Sequence, residues 1–266
     1  GAAIYYDPPS AESDILCMSP RPVSGRVYRG TGALVAVSII RLEDPEMPKA
    51  MTWPNGKRIA VLVTVMFETW SEGKAPTYSV QTTNLKPGTV DHAGKAWSTY
   101  GGRVGVWRII RNLDELQVPG TFFVNAQCAE LYPEATRQIV RSGHDVAGHA
   151  YTQDGLLTYM EPKEEQATIV KSLELLGERT GKAPTGWLTP VLAFTPHTVE
   201  FLAQAKLAWH ADVTYADLPH RIRTRHGVIA GVPMTDFSDN RVLRSSPRDL
   251  LDVYKDSFDY LYRKEP

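Results

Sequence analysis

A chain of 266 residues with 42% hydrophobic and 22% charged residues is neither disordered nor fibrous, and is long enough for one large domain or two small ones. Its formal net charge of -1 argues against a broad electrostatic footprint for nucleic acid or an anionic membrane. Two cysteines, Cys17 and Cys128, are too few for the disulfide framework of a small secreted domain.

Residues 1–55 are rich in Pro, Ser and Gly, with Ala33–Ile40 as a candidate strand, and read as an irregular N-terminal extension packing on a main domain at 56–266. No basic-then-apolar leader opens the chain, and apolar runs such as Ile59–Phe67 are far too short to span a bilayer. A cytoplasmic protein with a small-molecule substrate is expected, without nucleic-acid or membrane partners and compatible with a homo-oligomer.

From Lys57 onward, apolar runs of strand length alternate with helical patterns. The strand-like runs are "RIAVLVTVMF", "GTFFVNA", "HDVAGHA", "TGWLTPV", "LAWHADVTYA" and "GVIAGVPMT", dense in β-branched and aromatic residues. Between them, "VGVWRIIRNLDEL" places Val106, Ile109, Ile110 and Leu113 on one helical face. "EATRQIVRSG" stops at Gly143, and "PKEEQATIVKSLELLGERTG" runs from Pro and acids to Arg and Gly, the order a helix dipole favours. In "TPHTVEFLAQAK" and "SPRDLLDVYKDSFDYLYRK" a Thr or Ser before Pro suits an N-cap. Such alternation predicts a mainly parallel sheet covered by helices, barrel or open.

In a barrel, functional groups sit at the carboxyl ends of the strands. Polar residues fall there: Glu68, Asn125, His149, Thr189, Asp212 with Asp217, and Asp236. Glu68 emerges from an apolar strand into a Trp-flanked turn, a setting in which desolvation can prepare a general base, although a strand-end acid can equally solvate a loop. As a neutral imidazole, His149 can ligate a metal or donate to a developing oxyanion, unless the backbone satisfies it. His144 sits at the opposite end of that strand and suits a turn. Asp212 and Asp217 can orient water, a substrate nitrogen or a histidine, while an Asp turn into Pro219 accounts equally for Asp217. The remaining histidines lack metal-site spacing, no Cys-x-x-Cys occurs, and neither a phosphate-binding glycine loop nor a Gly-x-Ser-x-Gly elbow is present.

Seven segments in order, "WPNGKRIAV", "YGGRVGVWRIIRNLDELQVPGTFFV", "SGHDVAGHAY", "TGKAPTGWLTP", "ADVTYADLP", "GVPMTDFSDNRV" and "YKDSFDYLY", resemble the polysaccharide deacetylase superfamily, and within it the allantoinase-like branch. The resemblance implies a distorted (β/α) barrel of seven or eight strands that hydrolyses amide bonds outside peptides. Members of the family usually continue into a last strand with a Leu-His pair, which residues up to Pro266 do not include. In the metal-dependent members the first motif is Phe-Asp-Asp, base then ligand; here it is Phe67-Glu68-Thr69. The second, His-Ser/Thr-x-x-His, is here His149-Ala150-Tyr151-Thr152-Gln153, and Leu188-Thr189-Pro190 stands where an Arg-Pro pair holds the catalytic acid.

One imidazole and one carboxylate fall short of the three protein ligands that catalytic zinc usually takes. No cofactor is therefore favoured. The leading expectation is hydrolysis of a small amide, cyclic imide or ureide. Glu68 acts as base, His149 and Gln153 position substrate or the oxyanion, and Asp212 or Asp217 orients the proton-transfer group. Asn125 joins the substrate-binding set, and Trp70, Tyr151, Trp187 and Phe194 supply aromatic pocket walls or ordinary packing. The alternatives are a zinc-dependent N-acetyl sugar deacetylase, with Glu68 and His149 among its metal ligands, and a catalytically silent binding domain.

Overall fold

The computed structural model describes residues 53–76, 85–86, 89–234, 238–242 and 246–264. The N-terminal extension with its Ala33–Ile40 run, Cys17 and Asp236 lie outside the described residues. The chain divides into two compact units, whose described parts are 61–242, and 53–60 with 246–264.

Seven strands make up the sheet of the first unit among the described residues: β1 (Thr64–Phe67), β2 (Thr121–Val124), β3 (Asp145–Gly148), β4 (Gly186–Trp187), β5 (Trp209–Val213), β6 (His220–Thr224) and β7 (Gly227–Pro233). Their order is β1-β2-β3-β4-β5-β7-β6. Every pairing is parallel except that of β6 with β7. This is the seven-stranded α/β architecture expected. The alternation fails in one place, because β6 and β7 form a hairpin and not a strand-helix-strand unit. "HRIRT" gives no apolar run; Arg221 and Arg223 face solvent, as charged residues do on a protected edge strand.

Helices α1 (His92–Ser98), α2 (Val106–Leu116), α3 (Ala126–Leu131), α4 (Pro133–Arg141), α5 (Pro162–Thr180), α6 (Thr198–Gln204) and α7 (Asp239–Val242) complete this unit. Unforeseen in the sequence, α1 is capped by Asp91, whose carboxylate accepts the Gly94 N–H at 2.8 Å. A π-helical turn at Gly101–Gly105 leads into α2, which buries Val106, Ile110 and Leu113. Ile109, expected on the same face, is 37% exposed, so the buried stripe is narrower than its apolar pattern. Gly181 ends α5 at φ +75°, as anticipated. Thr195 is not the cap of α6: its hydroxyl accepts the His197 N–H at 3.0 Å in a turn that precedes the helix.

The two sheet faces carry different cores. On one, Phe123, Ala147, Leu188 and Ala211 pack together. On the other, Phe122, Val124 and Val146 meet Ile110, Leu113, Ile139 and Leu176 from the helices, while Trp187 and Ile229 meet Ile169 and Leu202. The period-two side-chain alternation of strands produces that division. Gly148 permits it locally, since a Cβ there would lie 2.6 Å from the Trp187 ring.

In the second unit, α8 (Pro247–Lys264) is capped as the sequence suggested: the Ser246 hydroxyl accepts the Arg248 N–H at 3.0 Å, and Asp249 returns to the Ser246 N–H at 3.1 Å. Tyr262 stacks on Phe258 and lies under the Arg58 guanidinium, 4.9 Å from the ring centre. No helix among the described residues is long and apolar enough to cross a membrane.

Candidate active site

Register places the site. Phe67, Val124 and Gly148 pair across β1, β2 and β3, so the next residues, Glu68, Asn125 and His149, emerge side by side at the carboxyl edge. Asn125, fully buried, joins its neighbours: Oδ1 accepts the Thr69 N–H at 2.9 Å and Nδ2 donates to the His149 carbonyl. The Gln153 N–H donates to the Thr69 carbonyl at 2.8 Å, and Asp154 accepts the Ser71 N–H at 2.8 Å. These bonds hold the loops after β1 and β3 together. Asn125, expected to meet substrate, is thus a structural hub.

The backbone after His149 is strained. Ala150 sits at φ +53°, a left-handed conformation that costs a non-glycine residue about 1 kcal/mol or more. Its carbonyl accepts the Ala126 N–H at 2.9 Å and that of Tyr151 accepts the Gln127 N–H at 3.1 Å, so the first turn of α3 retains the strained loop. The Cys128 thiol, buried beneath, donates to the Phe67 carbonyl at 3.1 Å. Burial first, and the Glu68 charge second, raise its pKa against hydrogen bonds from Thr69 and Asn125, which keeps it a thiol.

His149 is 2% exposed, and its Nδ1 lies 2.7 Å from the Leu188 carbonyl. A carbonyl can only accept, so Nδ1 carries the hydrogen, and in the neutral ring Nε2 presents a lone pair. That nitrogen has no hydrogen-bond partner and lies 3.7 Å from Glu68 Oε1. Two acceptors thus face each other, and a donor between them, such as a water O–H or an amide N–H, satisfies both. Gln153 Oε1 is likewise buried without a hydrogen-bond partner. The oxyanion role expected of neutral His149 does not fit this tautomer, because Nε2 accepts and does not donate.

Asp212 lies where the β5–β7 register shifts between His210 and Val213. Both its oxygens bind Thr189, Oδ1 accepting the backbone N–H and Oδ2 the hydroxyl, each at 2.7 Å. Trp187 Nε1–H donates to the same hydroxyl at 3.0 Å. Burial pushes the Asp212 carboxyl up to about 6, against the lowering influence of the Thr189 bonds and of His149. His210, buried with neither ring nitrogen hydrogen-bonded and its Nδ1 3.9 Å from Asp212 Oδ2, is pushed down to about 4 by burial and by nearby His220.

Other expected site residues are placed elsewhere. Trp187 is fully buried in the helix-side core, Tyr151 donates its hydroxyl to Glu130 at 2.7 Å with Lys171 over its ring, and Phe194 is 43% exposed. Trp70 is half-buried in the loop after β1, and Asp217 is exposed between β5 and β6. The aromatic box read from the sequence is therefore not assembled from these four rings. Overlooked was the bond between Asp212 and Thr189. The one visible hint was that Thr189, which stands in place of Arg, follows a buried Trp.

Glu68 and His149 present metal-ligating atoms 3.7 Å apart at this edge, and the described residues hold no group of three His, Cys, Asp or Glu side chains fit for a metal. The amide of Gln153 and the hydroxyl of Thr69 are weak donors for zinc. This donor set does not fit a tetrahedral zinc centre.

Residues 96–209 match the family model described as polysaccharide deacetylase. Over 125 residues the chain is 30% identical to a peptidoglycan deacetylase of Helicobacter pylori, covering 47% of this chain and 42% of that protein. It therefore spans less than half the length of that relative. A probable polysaccharide deacetylase from Pseudomonas aeruginosa PAO1 superposes with a TM-score of 0.70 at 25% identity, over 82% of this chain and 77% of that one. A Puue allantoinase superposes with a TM-score of 0.71 at 24% identity, over 83% and 78%, and so shares the fold. Strand-end register, motif order and the family match converge on residues 96–209, which are similar to a polysaccharide deacetylase domain, and the chain shares the fold of the solved deacetylase.

Proposed function

We propose that this chain hydrolyses a carbon–nitrogen bond other than a peptide bond, in a small amide, cyclic imide or ureide, without a zinc centre. The observation that carries the reading is the buried, lone-pair-bearing Nε2 of His149 lying 3.7 Å from the Glu68 carboxylate. Water between these acceptors donates one hydrogen to each, and its oxygen is then held for attack on a carbonyl carbon. As the C–O bond forms, Glu68 takes the proton. When the tetrahedral intermediate collapses and the C–N bond breaks, that proton passes to the leaving nitrogen. The Gln153 amide can orient the substrate or its oxyanion. The partnerless acceptor at Gln153 favours a ligand that brings N–H groups, as amides and ureides do.

Glu68→Gln keeps size and shape but removes the base, so kcat is expected to fall on the order of a hundredfold or more. The assay panel is allantoin, cyclic imides and N-acetylated amino sugars, and near-full activity in the variant would defeat the mechanism.

Deacetylation of an N-acetyl sugar is the second reading, favoured by the H. pylori relative named a peptidoglycan deacetylase. Turnover confined to the acetylated sugars, abolished by chelation and restored by zinc, selects it over the first. Silence across the panel in a folded protein leaves a binding domain.

A further inference from the structure

Between the Asp212 carboxylate and the His149 ring lies one peptide unit. The Leu188–Thr189 bond contributes the N–H that Asp212 Oδ1 accepts at 2.7 Å and the C=O that accepts His149 Nδ1–H at 2.7 Å. In a trans peptide these two groups point in opposite directions, and no cis peptide occurs among the described residues, so anion, amide dipole and imidazole form one polarised chain. A hydrogen bond to a charged acceptor is shorter and stronger than a neutral one, and bonds in series reinforce each other in a dry interior. All three partners are buried: His149 is 2% exposed, Asp212 5% and Thr189 0%. Trp187 fixes the arrangement further, because its indole N–H occupies the Thr189 hydroxyl and directs that hydrogen to Asp212 Oδ2.

We infer that Asp212 is a positioning residue acting on His149 through the Leu188–Thr189 peptide: it polarises that amide, strengthens the Nδ1–H···O=C bond and holds the tautomer whose Nε2 lone pair faces Glu68. No proton crosses the peptide. The carboxylate works by charge alone, and His149 is thereby kept as an acceptor for water or a substrate N–H. The inference rests on the proposed reading of Glu68 and His149 as the reaction site, yet its spectroscopic consequence is independent of turnover.

The test uses the 266-residue chain labelled with 15N-histidine, the His149 Nδ1–H resonance being identified by its loss in His149→Gln. Asp212→Asn keeps an oxygen acceptor but removes the charge. The Nδ1–H resonance is expected to move upfield, and kcat on the substrate found with the panel to fall on the order of tenfold with KM unchanged. An unmoved resonance in folded Asp212→Asn, or a wild-type ring protonated at Nε2 and not Nδ1, overturns the inference. Should Asp212→Asn fail to fold, Asp212→Glu, which displaces the carboxylate from Thr189, must move the same resonance, and a fixed resonance there is equally fatal. A moved resonance with Glu68→Gln fully active separates the outcomes: the coupling stands and the proposed reaction falls.

Discussion

His144 and His149 bracket β3, are 3% and 2% exposed, and each has its Nε2 near a carboxylate, at 3.5 Å from Asp114 and 3.7 Å from Glu68. Their chemistry is nevertheless opposite. At the amino end, His144 Nδ1 accepts the Gly120 N–H at 3.2 Å, so the neutral ring carries its hydrogen on the nitrogen nearer Asp114. At the carboxyl end, Nδ1 donates to a carbonyl, and the bare nitrogen faces the acid. In the first pair a donor nitrogen faces an acceptor at 3.5 Å without a closed hydrogen bond, beside the ends of α2 and α4, where Asp114 accepts the Ser142 hydroxyl at 2.9 Å. The second pair sets a lone pair beside a carboxylate and leaves room for a donor to bridge them. One backbone partner on the far nitrogen decides which histidine is structural and which can take part in a reaction.

That contrast can be broken most forcefully by exchanging each ring for an amide. His149→Gln is expected to cut kcat on the order of a hundredfold with little change in the urea midpoint. His144→Gln should leave kcat near wild type while lowering unfolding free energy by about 1–3 kcal/mol, because a buried hydrogen-bonding site is disturbed. Swapped outcomes in paired kinetic and denaturation assays would reverse the assignment.

A smaller effect tests how the strand between them is held. Gly148→Ala drives a methyl to 2.6 Å from Trp187 and 3.1 Å from Leu173, against a ring that is fully buried. A loss of about 1–3 kcal/mol is expected from the overpacking. Calorimetric melting at wild-type temperature would show that the sheet yields there more easily than its packing implies.

The smallest effect concerns acid. Asp212, raised to about 6, stabilises the fold below its ordinary 3.8 and loses that contribution as pH rises through about 6. His210, lowered to about 4, contributes above its ordinary 6.5 and loses that contribution as pH falls through about 4. Between these limits the two slopes oppose each other. In Asp212→Asn only the histidine slope remains, so stability should fall more steeply from pH 6.5 to 4 than in wild type. Parallel urea midpoints across that window would contradict the opposition.

The strand runs and most helix ends were legible because each is written in local periodicity and caps: Gly181 after α5 and Ser246 before α8 stand where expected. Glu68 and His149 were legible because they end apolar runs. The β6 strand was not, since its pairing with β7 compensates for a charged, weakly apolar segment that has no pattern alone. Trp187 and Tyr151 were assigned to a pocket wall because an aromatic residue near a strand end looks the same in sequence whether it faces the core, the surface or a ligand.

By itself the sequence determined the strand-helix order and the carboxyl-edge location of Glu68 and His149, because these depend on residue identity and spacing along the chain. Only the tertiary structure decided that Asp212 hydrogen-bonds the Thr189 N–H and hydroxyl, and which nitrogen of each histidine carries hydrogen. Those outcomes hang on contacts between residues 23 and 39 positions apart. A protonation pattern belongs to the pair of groups that meet, and no single segment holds both.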